Sequence, residues 1–124
     1  MLALQDLKNM TEDEVLDKLN NEYGSGNESQ LSNKEVLIAY ESVGWWGCDS
    51  SSFFLLRDKD SKELFEVHGS HCSCMGFEGQ LRLEPTTVEA MKYRIDNGRV
   101  FYTGGYDDDS SKNEKAVNKF INSL

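Results

Sequence analysis

Residues 52–58, SFFLLRD, form a compact run of four large apolar side chains bounded by polar residues. Neighbouring side chains in a β-strand point to opposite faces of the sheet. A short apolar run without alternation is therefore typical of a strand that is covered on both faces. The run predicts a buried strand at this point of the chain.

The segment that precedes this run also predicts a strand. EVLIAYESV, residues 35–43, contains β-branched and aromatic residues in loose alternation. Ser32 and Glu35 match a helix capping box, so a short helix remains an alternative here. GWWGCDSS, residues 44–51, is rich in glycine and aromatic residues and predicts a hairpin loop between the two strands.

Two strands are predicted after the run. LFEVHG, residues 64–69, alternates Phe65 and Val67 with more polar neighbours and predicts the third strand. QLRLE, residues 80–84, predicts a short fourth strand that ends at Pro85. RVFYT, residues 99–103, is a further candidate strand.

Three helices are predicted from capping boxes that begin at Thr11, Thr86 and Ser111, each with a glutamate three residues later. Gly24 ends the first helix and Gly98 ends the second. The first helix has an apolar face of Val15, Leu16, Leu19 and Tyr23, and the acidic residues Asp13, Glu14 and Asp17 lie opposite that face.

Together these elements predict an α+β fold in one domain of 124 residues. The expected architecture is an antiparallel meander of three to five strands with an N-terminal helix, a helix after the fourth strand and a C-terminal helix. Residues 1–35 form an acidic helical segment and loop, and residues 36–124 form the sheet with two helices. The expected single core consists of Phe54, Leu56, Phe65, Val67, Leu83, Val88, Met91, Ile95, Val117 and Phe120.

The charge of the chain restricts its partners. Its 22 acidic and 13 basic residues give a net charge of −9, which argues against direct nucleic-acid binding. No segment is long and apolar enough to predict a membrane span, and the first residues do not resemble a signal peptide. Three cysteines make a disulfide framework unexpected, so we expect a cytoplasmic protein with reduced thiols.

The block VHGSHCSC, residues 67–74, concentrates histidine and cysteine and has three interpretations. The first is a zinc site, but His71 and Cys72 are adjacent and would point apart in an extended chain. The second is a thiol enzyme in which His68 activates Cys72 or Cys74. The third, which we favour, is a tight turn of small residues, and we expect no cofactor and no structural metal. The ligands of the alternative metal site would be His68, His71, Cys72 and Cys74, with Cys48 as a distant further thiol.

Residues 49–95 resemble a group of short phage and prophage proteins that share an HCSC-x-G-x-EGQ block followed by a helix start of the PT or PE-T type. His71, Cys72, Cys74, Gly76, Glu78, Gly79, Gln80, Pro85 and Thr86 lie at the matching positions. Leu81 and Arg82 depart from the pattern, because an aromatic residue is expected there. The resemblance covers a little over a third of the chain and implies a phage context in a bacterial cytoplasm, not a reaction.

These observations predict a protein that binds a host protein with a basic surface, such as a nucleic-acid enzyme or a restriction or CRISPR effector, and inhibits or modulates it. The small metal- or thiol-dependent enzyme remains the alternative, and a homodimer is left open. Acidic clusters steer basic partners, and tryptophan is frequent at interface hot spots. The predicted contact residues are Asp13, Glu14, Asp17, Trp45, Trp46, Asp107, Asp108 and Asp109.

Overall fold

The computed structural model describes residues 1–26, 29–42, 50–71, 79–97 and 110–124, with the backbone alone at His71, Ser110 and Ser111. These residues form an α+β fold with a five-stranded mixed sheet and three α-helices. The elements follow the order β1 (Leu2–Gln5), α1 (Glu12–Lys18), β2 (Lys34–Ser42), β3 (Ser50–Asp58), β4 (Leu64–His71), β5 (Glu84–Thr86), α2 (Val88–Asn97) and α3 (Ser110–Asn122).

The strands lie in the sheet in chain order, with β3 in the middle. From β2 to β5 they form the predicted antiparallel meander. The expectation of an entirely antiparallel sheet is wrong, because β1 pairs with β2 in parallel, with Leu2 opposite Ile38. Parallel neighbours require a crossover connection, and α1 lies in the one that joins β1 to β2.

Two apolar clusters cover the two faces of the sheet, so the expectation of a single core is also wrong. Phe54 belongs to the first cluster and Phe53 to the second, as the alternation of a strand requires. The first cluster contains Val15, Leu19, Tyr23, Val36, Ala39, Leu56, Val67 and Leu81, with Phe65 and Leu83 packed against it. The second contains Leu37, Ile38, Tyr40, Leu55, Met91, Ile95, Val117 and Ile121, with Leu64, Val88 and Phe120 packed against it.

The strand predicted at residues 80–84 is found further along the chain, at Glu84–Thr86. Residues 80–83 are not a strand, because their polar groups bond elsewhere: the Leu81 amide donates to the Tyr23 carbonyl, 3.2 Å away, and the Gln80 side chain pairs with the backbone of Ser70. The strand that pairs with β4 is β5, in which Pro85 lies opposite Phe65. Proline is tolerated there because β5 is an edge strand.

The helices agree with the capping predictions in part. The capping box of Thr11 and Glu14 is present at the start of α1, and a π-helical turn, Leu19–Tyr23, extends α1 to Gly24. The helix α2 follows the fifth strand and not the fourth, and Thr87 rather than Thr86 accepts the hydrogen bond from the Ala90 amide at its start. Within the described residues, no helix is long and apolar enough to cross a membrane.

Candidate protein-binding surface

The solvent-facing side of α1 carries the acidic residues that the sequence singles out. Asp13, Glu14 and Asp17, which we call the acidic α1 face, are all exposed. Glu14 also accepts a 3.0 Å hydrogen bond from the Thr11 amide, so part of its role is to cap the helix. In the described part of the chain, Asp13 and Asp17 have no lysine or arginine within ion-pair distance.

Lys18, the lysine nearest to this face in the sequence, is turned towards the sheet. Its Nζ lies 2.9 Å from Glu22 Oε2 and 3.3 Å from Glu41 Oε1, and its side chain is only 15% exposed. Burial disfavours the charged ammonium, but the hydrogen bond to Glu22 and the attraction of Glu41 outweigh it and raise the pKa of Lys18. Lys18 is therefore a fixed cation of the interior and leaves the acidic α1 face uncompensated.

Glu41 connects this interior cation to the aromatic core. It is buried in β2 and accepts a 2.8 Å hydrogen bond from the Tyr23 hydroxyl, in addition to the contact with Lys18. Burial and the neighbouring Glu41 carboxylate raise the pKa of Tyr23 well above its usual value, so the hydroxyl stays protonated and donates. This network fixes the π-helical turn against the sheet and with it the orientation of α1.

An open groove of about 400 Å³ lies beside the acidic α1 face. Asp17 and Asn20 contribute polar groups to one wall, and Leu16 and Leu31 contribute apolar surface. Gly26, Ser29 and Ser32 also line it among the described residues. A groove of this composition suits a long basic side chain, whose stem is apolar and whose end is charged.

A second polar cluster lies on the other face of the sheet, around Glu66 in β4. Glu66 is 2% exposed, and its carboxylate makes an ion pair with Arg94 of α2 and lies 2.9 Å from Nε2 of His68. Burial alone would raise the pKa of Glu66, but hydrogen bonds from His68, Arg94 and Thr86 outweigh it and lower the pKa to about 2. Glu66 is therefore ionised at neutral pH, where it holds α2 to the sheet and orients the His68 ring.

The structure places only some of the predicted site residues. Asp13, Glu14 and Asp17 lie together on α1, and His68 lies on the opposite face of the sheet. The remaining predicted positions, Trp45, Trp46, Cys72, Cys74, Asp107, Asp108, Asp109 and the side chain of His71, lie outside the described residues, as do Cys48 and residues 99–103. Among the described residues, no group of three or more histidine, cysteine, aspartate or glutamate side chains is arranged to hold a metal ion. The interpretations of the histidine and cysteine block therefore stay predictions.

Sequence reasoning did not find Glu66, Glu41 or Tyr93. A glutamate that alternates with apolar residues in a strand is usually expected to face solvent, and only the distant Arg94 and Lys18 explain why these two are buried. Tyr93 is 73% exposed in the middle of α2. Tyr93 lies opposite Met91 and Ile95 in the helical repeat, and this position is the sequence signal that indicates an exposed aromatic side chain.

Comparison of the chain with protein-family models, with curated proteins and with solved structures finds no match.

Proposed function

We propose that this protein acts by binding a basic surface of another protein through the acidic α1 face. The observation that carries the proposal is the inward position of Lys18, whose ammonium group forms ion pairs with Glu41 and Glu22. Because that cation is withdrawn, Asp13 and Asp17 project a negative potential into solvent beside an open groove. Such an arrangement steers a basic partner and favours rapid, salt-dependent association.

Lys34 supports the same conclusion. Its Nζ lies 3.0 Å from Asp58 Oδ2, and its side chain is 13% exposed, so this lysine is also paired and does not present a free positive charge to solvent. The resemblance to phage proteins gives the partner a context, namely a bacterial nucleic-acid enzyme or defence effector whose groove normally holds DNA or RNA. A protein that occupies such a groove would inhibit the enzyme by excluding its nucleic acid.

The test begins with capture of the partner from a bacterial lysate and continues with the purified pair. We expect Asp13→Asn combined with Asp17→Asn to weaken binding roughly tenfold, about 1.4 kcal/mol, and to flatten its dependence on salt. The matched control is Glu63→Gln combined with Glu84→Gln, which removes two exposed carboxylates elsewhere. Duplex DNA or structured RNA should compete with the wild-type protein for the partner. Equal affinity and an equal salt slope for the two double variants would refute the proposal.

A thiol enzyme is the second candidate, and one contact favours it. A histidine that activates a cysteine needs a third group to orient its ring, and Glu66 supplies that group to His68. Arg94 shares the same carboxylate, which weakens its effect on the histidine. If this candidate is correct, His68→Gln should slow alkylation of Cys72 or Cys74 by iodoacetamide, measured by mass spectrometry of the folded protein. Unchanged rates would remove the candidate.

A further inference from the structure

The most exposed aromatic side chain of the described residues is Tyr93, in the middle of α2. Its side of the helix points away from the second apolar cluster, into which Met91 and Ile95 are buried. Tyrosine has few rotatable bonds and combines a large apolar ring with a polar end, and it is enriched at binding hot spots. Exposure of such a side chain on a regular helix is the first sign of a contact surface.

Tyr93 forms a wall of an open groove of about 430 Å³ that runs along α2. Among the described residues, Ala90, Arg94 and Asn97 of α2 also line the groove. Arg94 does not act as a free cation here, because the buried Glu66 carboxylate binds its guanidinium. Arg94 therefore brings no uncompensated positive charge to the groove.

Two carboxylates are close neighbours of Tyr93 in the helical repeat, on the side of α2 that also carries Lys92. Glu89 precedes Tyr93 by four residues and Asp96 follows it by three, so both lie beside it on the helix surface. Both are exposed, and neither makes an ion pair with a lysine or arginine of the described residues. We call Glu89, Tyr93 and Asp96 the α2 patch.

We propose that the α2 patch is a receptor for an arginine side chain of a partner protein. A planar guanidinium stacks on an aromatic ring, and its N–H groups form charge-assisted hydrogen bonds to carboxylates. A lysine ammonium lacks the flat surface and the fork of donors, so arginine fits this combination better. The inference is independent of the function proposed for the acidic α1 face, because α1 and α2 pack on opposite faces of the sheet.

The test uses the arginine side chain itself as the probe. N-acetyl-arginine amide is titrated into the isotope-labelled protein, and the NMR shifts of the Tyr93 ring and of the α2 amides are followed. N-acetyl-citrulline amide, which has the same shape without the charge, and N-acetyl-lysine amide are the matched probes. We expect saturable shifts on α2 with the arginine probe, weaker shifts with the lysine probe and none with the citrulline probe.

Variants separate this site from general attraction to an acidic protein. Tyr93→Ala should raise the dissociation constant of the arginine probe at α2 roughly two- to fivefold, which is the fold-change that an exposed cation–π contact represents. Glu89→Gln combined with Asp96→Asn should raise this dissociation constant by a similar factor. Asp13→Asn combined with Asp17→Asn should leave the α2 shifts unchanged. A melting temperature equal to wild type confirms that each variant is folded. Equal shifts with the citrulline or the lysine probe, or an affinity of the arginine probe at α2 that Tyr93→Ala leaves unchanged, would overturn the proposal.

Discussion

The hydroxyl of Tyr23 donates a 2.8 Å hydrogen bond to the buried carboxylate of Glu41, and the Tyr23 ring meets Phe54 edge-on at a centroid distance of 5.4 Å. One side chain thus connects the π-helical turn to β2 by a polar contact and to β3 by an apolar one. The acidic α1 face precedes this turn, so its orientation depends on the same residue.

Tyr23→Phe tests the polar contact without emptying the core. Removing the hydroxyl leaves a buried carboxylate with one partner fewer, and we expect the free energy of unfolding to fall by about 1–3 kcal/mol. Urea denaturation of both proteins measures the difference. Tyr93→Phe removes a hydroxyl from an exposed tyrosine and should change stability by less than about 0.5 kcal/mol. Equal effects of the two substitutions would contradict the role given to Glu41.

Glu66 predicts a specific dependence of stability on pH. Its pKa is lowered from 4.5 to about 2 in the folded protein, so the folded state binds this proton less readily than the unfolded state does. The stabilisation is therefore complete above the ordinary pKa and is lost as the pH falls through about 2. We expect this contribution to be on the order of 3 kcal/mol at neutral pH.

The measurement for Glu66 is a series of urea denaturations from neutral pH down to about pH 2. Wild type should lose more stability over the acid range than Glu66→Gln, which has no carboxylate to protonate at this site. Glu63→Gln, at an exposed position in the hairpin between β3 and β4, should follow the wild-type curve. Parallel curves for wild type and Glu66→Gln would show that the contacts with Arg94 and His68 do not stabilise the fold.

Phe54 and Phe65 should differ strongly when they are truncated. Phe54 is fully buried, so Phe54→Ala is expected to cost about 3–5 kcal/mol. Phe65 is half-buried, and Lys34 Nζ lies 5.5 Å from the centre of its ring, so Phe65→Ala removes less protected surface and should cost clearly less. Thermal or urea unfolding of the two variants measures the order. A larger cost at Phe65 would mean that β5 covers that ring more completely than the structure shows.

The sequence predicts elements well where their signals are local. The run of Phe53 to Leu56 is a strand buried on both faces, and the spacing of Val15, Leu19 and Tyr23 places three buried side chains on one helix face. The capping box at Thr11 is also present. Each of these patterns is complete within a few residues, so composition and spacing are sufficient to recognise it.

The errors arise where distant residues decide the outcome. The strand β1 has only four residues, and its partner, Ile38 to Glu41, lies more than thirty positions away. The fourth strand was misplaced because Tyr23 and Gln30 supply hydrogen-bond partners for the backbone of Leu81. The residues of the acidic α1 face can be predicted from the sequence. That Lys18 does not neutralise their charge cannot be predicted, because this depends on the direction of the Lys18 side chain.

The apolar composition of β3 has a consequence for folding accuracy. In a strand with one apolar face, slippage by one residue exposes that face to water, and this penalty selects the correct alignment. Slippage of β3 by one residue would only exchange apolar side chains between two apolar layers. The correct alignment therefore depends on the polar pairs at the end where β2 begins and β3 ends, where Lys34 lies opposite Asp58 and Glu35 lies opposite Arg57, each as an ion pair. The main contribution of these four charges is therefore to destabilise pairings of β2 and β3 that are out of register.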